Sequence, residues 1–261
     1  MIKPARMTKK MVPPSSWQEL VNGEWVADQL QTRLDEWWPR LFGFHLLKLG
    51  GLSAELASCH CSIRHQVCVD KLNPLRNITS ELDHLPLTDK SIDACLLAHQ
   101  LDFSEDPHQL LREVDRVLVA DGYLILTGFN PMSLGGLSRF LPWRRKKYPW
   151  KGRMFTPGRV VDWLQLLNYE ISCHDTFAIL PTTKYWPCAT WAENLLSDYF
   201  SRFGGLYFIV ARKRTLPIKP IKSKWIFQKN FKPASANFRV GFSQQFFYRQ
   251  HCYCEQLKLR R

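Results

Sequence analysis

The stretch ELDHLPLTDKSIDACLLAHQLDFSEDPHQLLREVDRVLVADGYLILTGFN, residues 81–130, decides the fold. At its centre Ile92 to Ala98 is an apolar run of strand length, the pattern of a central strand covered on both faces. Downstream, Asp106 before Pro107 has the chemistry of a helix start, an N-cap acceptor followed by a residue whose missing N–H is not needed in the first turn. Leu110, Leu111, Val114, Val117 and Leu118 then make one apolar stripe, Asp121-Gly122 closes the helix, and Tyr123 to Thr127 reads as the next strand. Strand, helix and strand in this order are the unit of a doubly wound sheet, whose ligand crevice lies outside the carboxyl ends of its strands.

Upstream, Phe44 to Leu49 is a shorter buried strand ending at Gly50-Gly51, and Ser53 to Ala57 suits a helix opening there. His65 to Val69 and Leu75 to Thr79 are both β-prone, with Asp70 to Pro74 between them. A parallel crossover needs a dozen or more residues, so this spacing predicts an antiparallel hairpin with Asp70 in its turn. Earlier still, Ser16 and Glu19 form a capping pair. Leu20, Leu30, Leu34, Trp37, Trp38 and Leu41 follow at mostly helical spacing. One or two N-terminal helices result, which either pack on the domain or cover the mouth of its cleft.

Beyond residue 130 the chain runs through a Gly- and Pro-containing loop to Arg153, with Arg144-Arg145-Lys146-Lys147 inside it. Thr156-Pro157 starts a helix whose Val160, Val161, Trp163, Leu164 and Leu167 face inward. Strands are expected near Glu170 to Ala178 and Leu206 to Ala211. Three segments follow: 1–16, a flexible N-terminus; 17–214, the domain with its N-terminal helices; and 215–261, a basic tail expected to be disordered.

The net charge of +13 is concentrated in that tail: residues 211–261 carry 13 Lys/Arg against one acid, Glu255, and residues 1–210 carry 23 against 22. A neutral body argues against a phosphate-binding face on the domain itself. No apolar run near the N-terminus has the length of a signal peptide or a membrane span, so a cytoplasmic protein with reduced cysteines is expected. Cys59, His60, Cys61, His65 and Cys68 supply soft ligands, but strand alternation sends neighbours to opposite faces, and no metal site is expected.

Two motifs carry a family resemblance. Glu81-Leu82-Asp83-His84-Leu85-Pro86-Leu87 resembles an acid-led Leu-Pro-Phe motif, followed by the turn and strand Asp89-Lys90-Ser91-Ile92-Asp93. Leu110 to Gly122 resembles the helix that precedes strand five. Both are similar to the class I S-adenosylmethionine (SAM)-dependent methyltransferases, in the methyltransferase type 11 group. The resemblance implies an α/β, Rossmann-like sheet, mostly parallel with an antiparallel last strand, to which the shortened hairpin and N-terminal helices would be added. It implies SAM as cofactor, held by Gly50 and Gly51 after strand one, Asp70 on the ribose hydroxyls, Glu81 and Leu82 at the adenine, and the Ala98-His99 corner.

The first motif departs from the family. In Lys48-Leu49-Gly50-Gly51-Leu52-Ser53-Ala54, Lys48 reverses the usual acid and Leu52 replaces a glycine that gives room for the methionine moiety. His99 is the candidate for deprotonating or positioning an acceptor, and equally a core-edge histidine. Leu101-Asp102-Phe103 stands where the family has Leu-His-aromatic, so no base carries over. The expected function is methyl transfer to a small or lipid-like acceptor by proximity and alignment. The alternatives are a degenerate, non-catalytic binding module and nucleic-acid binding through the basic tail and the run at 144–147, with Trp143, Trp150 and Trp225 as stacking surfaces.

Overall fold

The structure, a computed structural model, describes residues 12–71, 75–133, 136, 147–177 and 204–215. The basic tail beyond residue 215, Arg144 to Lys146, Trp143 and Trp225 lie outside these residues. Trp150 is inside them and buried, so it offers no stacking surface.

Among the described residues seven strands form one sheet: β1 (His45–Leu49), β2 (His65–Asp70), β3 (Ile78–Thr79), β4 (Ile92–Ala98), β5 (Leu118–Phe129), β6 (Tyr169–Phe177) and β7 (Leu206–Lys213). Their order is β3-β2-β1-β4-β5-β7-β6; pairs up to β5 are parallel, and β7 runs antiparallel to both β5 and β6. The helices are α1 (Gly23–Trp37), α2 (Gly51–Glu55), α3 (Gln100–Phe103), α4 (Pro107–Val117) and α5 (Pro157–Leu166).

Strand alternation divides the core into two layers. Leu47, Leu49, Cys95 and Leu97 point to the face where Leu110, Leu111 and Val114 of α4 and Val160 and Leu164 of α5 cover them. Leu46, Ala94, Leu96 and Ala98 point the other way, against Leu30 and Leu34 of α1 and against Trp38 and Leu41. A buried leucine contributes about 1.5–3 kcal/mol, so the two covers fix which face of the sheet each of these residues takes. Among the described residues no helix is long and apolar enough to cross a membrane.

Three sequence expectations change. The antiparallel hairpin is not formed: β3 runs parallel to β2, with Val69 beside Ile78 and Asp70 beside Thr79. The length rule for crossovers assumes full strands. Because β3 pairs over two residues only, the chain leaving Asp70 has to regain roughly one residue's rise, about 3.3 Å. Asn77 makes that return, its N–H donating to the Cys68 carbonyl at 2.8 Å and its Oδ1 accepting from the Cys68 N–H at 2.8 Å. Asp121-Gly122 does not close a helix either. α4 ends at Val117, β5 begins at once, and Asp121, at φ 62°, sits where the β4–β5 register slips. The N-terminal capping pair serves a 3₁₀ turn, Trp17–Glu19, in which Ser16 caps Gln18 and Glu19 bonds Ser15.

Candidate functional site

The carboxyl ends of β1, β2 and β4 meet at one edge of the sheet. After β1 the chain turns at Gly50, whose φ of +83° is the left-handed region glycine tolerates; its N–H donates to the Val69 carbonyl at 2.9 Å. α2 follows, and its Ser53 Oγ accepts the Ala98 N–H at 2.8 Å, tying the glycine turn to the end of β4. Asp70, the last residue of β2, is 4% exposed.

A cavity of about 310 Å³ opens beside Asp70. One wall is Lys71 with Ser80 to Asp83, the next is Gln100 with Phe103 to Glu105, and the rim is the N-terminal stretch Val12 to Ser15. The loop carrying Glu81 is held from below by Arg116 of α4. Its guanidinium donates to the carbonyls of Leu85 at 3.0 Å and Leu87 at 2.9 Å while pairing with Glu113 at 2.9 Å. Glu81 itself pairs with Lys71 at 2.7 Å, both side chains being well exposed. Asp83 has its carboxyl pushed up, first by burial and then by Asp106 and Glu105. The cavity is therefore acid-rich and able to accept hydrogen bonds from hydroxyl and amino groups.

The other half of the crevice is closed. His99 follows β4 in the left-handed conformation (φ 54°) with its ring fully buried, 4.0 Å from the Phe129 ring and edge-on to Trp17 at 5.6 Å. Burial lowers its pKa to about 3, so the ring is neutral at pH 7. Its Nδ1 lies 3.4 Å from Oδ2 of Asp102, and that oxygen accepts the Phe129 N–H at 2.9 Å. Burial pushes the Asp102 carboxyl well above the usual range. Trp17 seals this side: its indole N–H donates to the Leu52 carbonyl at 3.0 Å and its backbone N–H to Glu55 at 3.1 Å.

Of the residues singled out from sequence, Asp70, Glu81 and Leu82 line the cavity together, while Gly50, Gly51, Ala98 and His99 do not. His99 does not face the cleft, because the aromatic rings of Trp17 and Phe129 enclose it. Lys48 and Leu52, the two departures in the glycine motif, leave the cavity clear. Lys48 turns to the opposite layer, donating to the Leu56 carbonyl at 2.8 Å, and burial lowers its pKa. Leu52 is buried in that same layer. Gln100, Phe103 and Ser104 were not legible as site residues. Their only sequence signal is position, since they directly follow the strand whose end forms the crevice.

A SAM molecule would fit this arrangement in part. Asp70 and Glu81 offer hydrogen-bond acceptors in the cavity, but the space before the Gly50 backbone is filled: a Cβ built there would lie 2.1 Å from Oε1 of Gln100.

Comparison with known proteins agrees with the fold. Residues 53–126 match the family model described as a methyltransferase domain. The chain is 43% identical over 217 residues to the uncharacterized protein YafS of Escherichia coli K12, covering 83% of this chain and 88% of that protein. Among solved structures, a SAM-dependent methyltransferase from Archaeoglobus fulgidus superposes with a TM-score of 0.51 at 18% identity, over 72% of this chain and 94% of that one. The [4+2]-cyclase SpnF superposes with 0.52 at 17% identity, over 76% and 84%. At such identities the likeness shows the fold, and it extends to a protein named for a cyclization.

Proposed function

The chain belongs to the class I SAM-dependent methyltransferase family, and on that premise we propose that it binds SAM and transfers its methyl group to a small or lipid-like acceptor. The observation that carries this reading is the meeting of Asp70 and Glu81, one from the end of β2 and one from the loop before β4, in a single cavity. Asp70 would accept from the ribose hydroxyls and Glu81 from the adenine amino group, with Leu82 as an apolar wall. The bound cofactor supplies an already activated, sulfonium-borne methyl group, so the chain's task is to hold and align. His99 takes no part as a base, since its ring is enclosed and neutral; it supports the end of β4 instead.

Calorimetric titration of the full chain with SAM tests the reading. Saturable binding weakened at least about 10-fold by both Asp70→Asn and Glu81→Gln is expected, the loss being that of hydrogen bonds to charged acceptors. Binding that neither variant changes would move the ligand elsewhere and end this reading. A second reading, a degenerate domain that retains an adenosyl-type ligand without transfer, is favoured by the filled space at Gly50.

A further inference from the structure

Gln100 stands between the two halves of the crevice. On one side it lines the cavity that holds Asp70 and Glu81. On the other, its Oε1 and Cδ lie 2.1 and 2.9 Å from where a Gly50 Cβ would be, so its amide covers the glycine backbone. It is 6% exposed, and its side-chain amide borders the open cavity without a hydrogen bond to another of the described residues. A glutamine untethered at the cavity wall differs from its neighbours: Trp17 is pinned to Leu52 and Glu55, and Asp102 to the Phe129 N–H. Its three torsions can move it between staggered positions without breaking a bond to the protein.

We propose that Gln100 is a gate that sets how much of an adenosyl ligand the crevice admits. With the side chain against Gly50, the cavity takes a nucleoside and ends near the ribose. With it swung aside, the bare backbone of Gly50 can receive a longer substituent carrying an amino acid. The proposal rests on the adenosyl reading of the cavity given above. The closed position costs a long ligand affinity in proportion to the rarity of the open one, because apparent affinity scales with the fraction of competent molecules. A nucleoside bears no such cost.

The test compares adenosine with S-adenosylhomocysteine as calorimetric probes of the full chain, in the natural protein and in Gln100→Ala and Gln100→Met. Adenosine affinity reports whatever Gln100 contributes as a wall of the cavity, so the ratio of the two affinities reports the gate. Relative to adenosine, S-adenosylhomocysteine should bind about tenfold more tightly to Gln100→Ala, the gain expected if one molecule in ten is open, and no more tightly to Gln100→Met, whose unbranched chain keeps the space filled. Should the alanine variant fail to fold, as judged by its thermal transition, Gln100→Ser carries the same expectation. If both probes bind and truncating Gln100 leaves their affinity ratio unchanged, the gate is refuted. If neither probe binds any variant, the adenosyl reading itself fails, and the gate with it.

Discussion

The crevice has two halves built on opposite principles. Around Asp70 and Glu81 the walls mix acids with apolar side chains such as Leu82 and Phe103, and the Lys71–Glu81 ion pair on the rim joins two solvent-exposed side chains. Around His99 the walls are aromatic and dry, with both ionisable groups of the His99–Asp102 contact fully enclosed. The difference teaches that the same sheet edge can stay open to solvent at one end and brace itself at the other. Charge faces water where the cavity opens. Neutralised, packed groups stand where the strand end must be rigid.

If that division is real, substitutions in the sealed half change stability and those on the open rim leave it alone. The largest effect is expected from Trp17→Ala, which removes a 4% exposed indole and its bond to Leu52. A loss of about 3–5 kcal/mol in unfolding free energy should appear in urea denaturation. A loss below about 1 kcal/mol would mean that the N-terminal turn does not brace the crevice.

Next comes Asp102. Its replacement by Ala strands the Phe129 N–H and should cost about 2–3 kcal/mol, whereas Asn, a near-isosteric neutral group, should cost under about 1 kcal/mol. The pH dependence sharpens this. The folded pKa of Asp102 is raised, so above about pH 4 the unfolded chain gives up this proton while the folded chain keeps it. The folded state then binds more protons, and the group's contribution to stability declines as pH rises toward its folded pKa. Between pH 5 and 7 the natural protein should therefore lose stability relative to Asp102→Asn. His99 has the opposite sign: its folded pKa is lowered to about 3, so its contribution is present above the unfolded value near 6.5 and is lost as pH falls toward 3. Since His99 is common to both proteins, it cancels in their difference. Parallel curves would show that Asp102 is ionised in the folded state, contrary to the dry half described above.

The smallest effect belongs to the rim. Lys71→Met breaks the exposed pair with Glu81 and should change unfolding free energy by less than about 0.5 kcal/mol. A change above 1 kcal/mol would erase the contrast between the halves.

How far this was legible in the sequence differs by element. β4 and α4 were readable because a fully buried strand and an amphipathic helix with a Pro-led start leave strong patterns, and the cap is formed as written, Asp106 accepting from His108 and Gln109 N–H at 3.1 Å each. Asp70 was assigned to a turn because the crossover rule was applied to a strand that turned out to be two residues long. Gln100 was missed because a lone glutamine carries no pattern, and its importance arises from a glycine fifty positions earlier.

By itself the sequence determined the alternation of strands and helices, the acid-led loop and the family, since hydrophobic period and short motifs are local properties that survive without a partner in space. Only the tertiary structure decided which acids share a cavity, that Lys48 turns away from it, and that His99 is sealed. Those outcomes depend on which face of a strand each residue takes and on what distant segment, here Trp17 and Gln100, comes to rest against it.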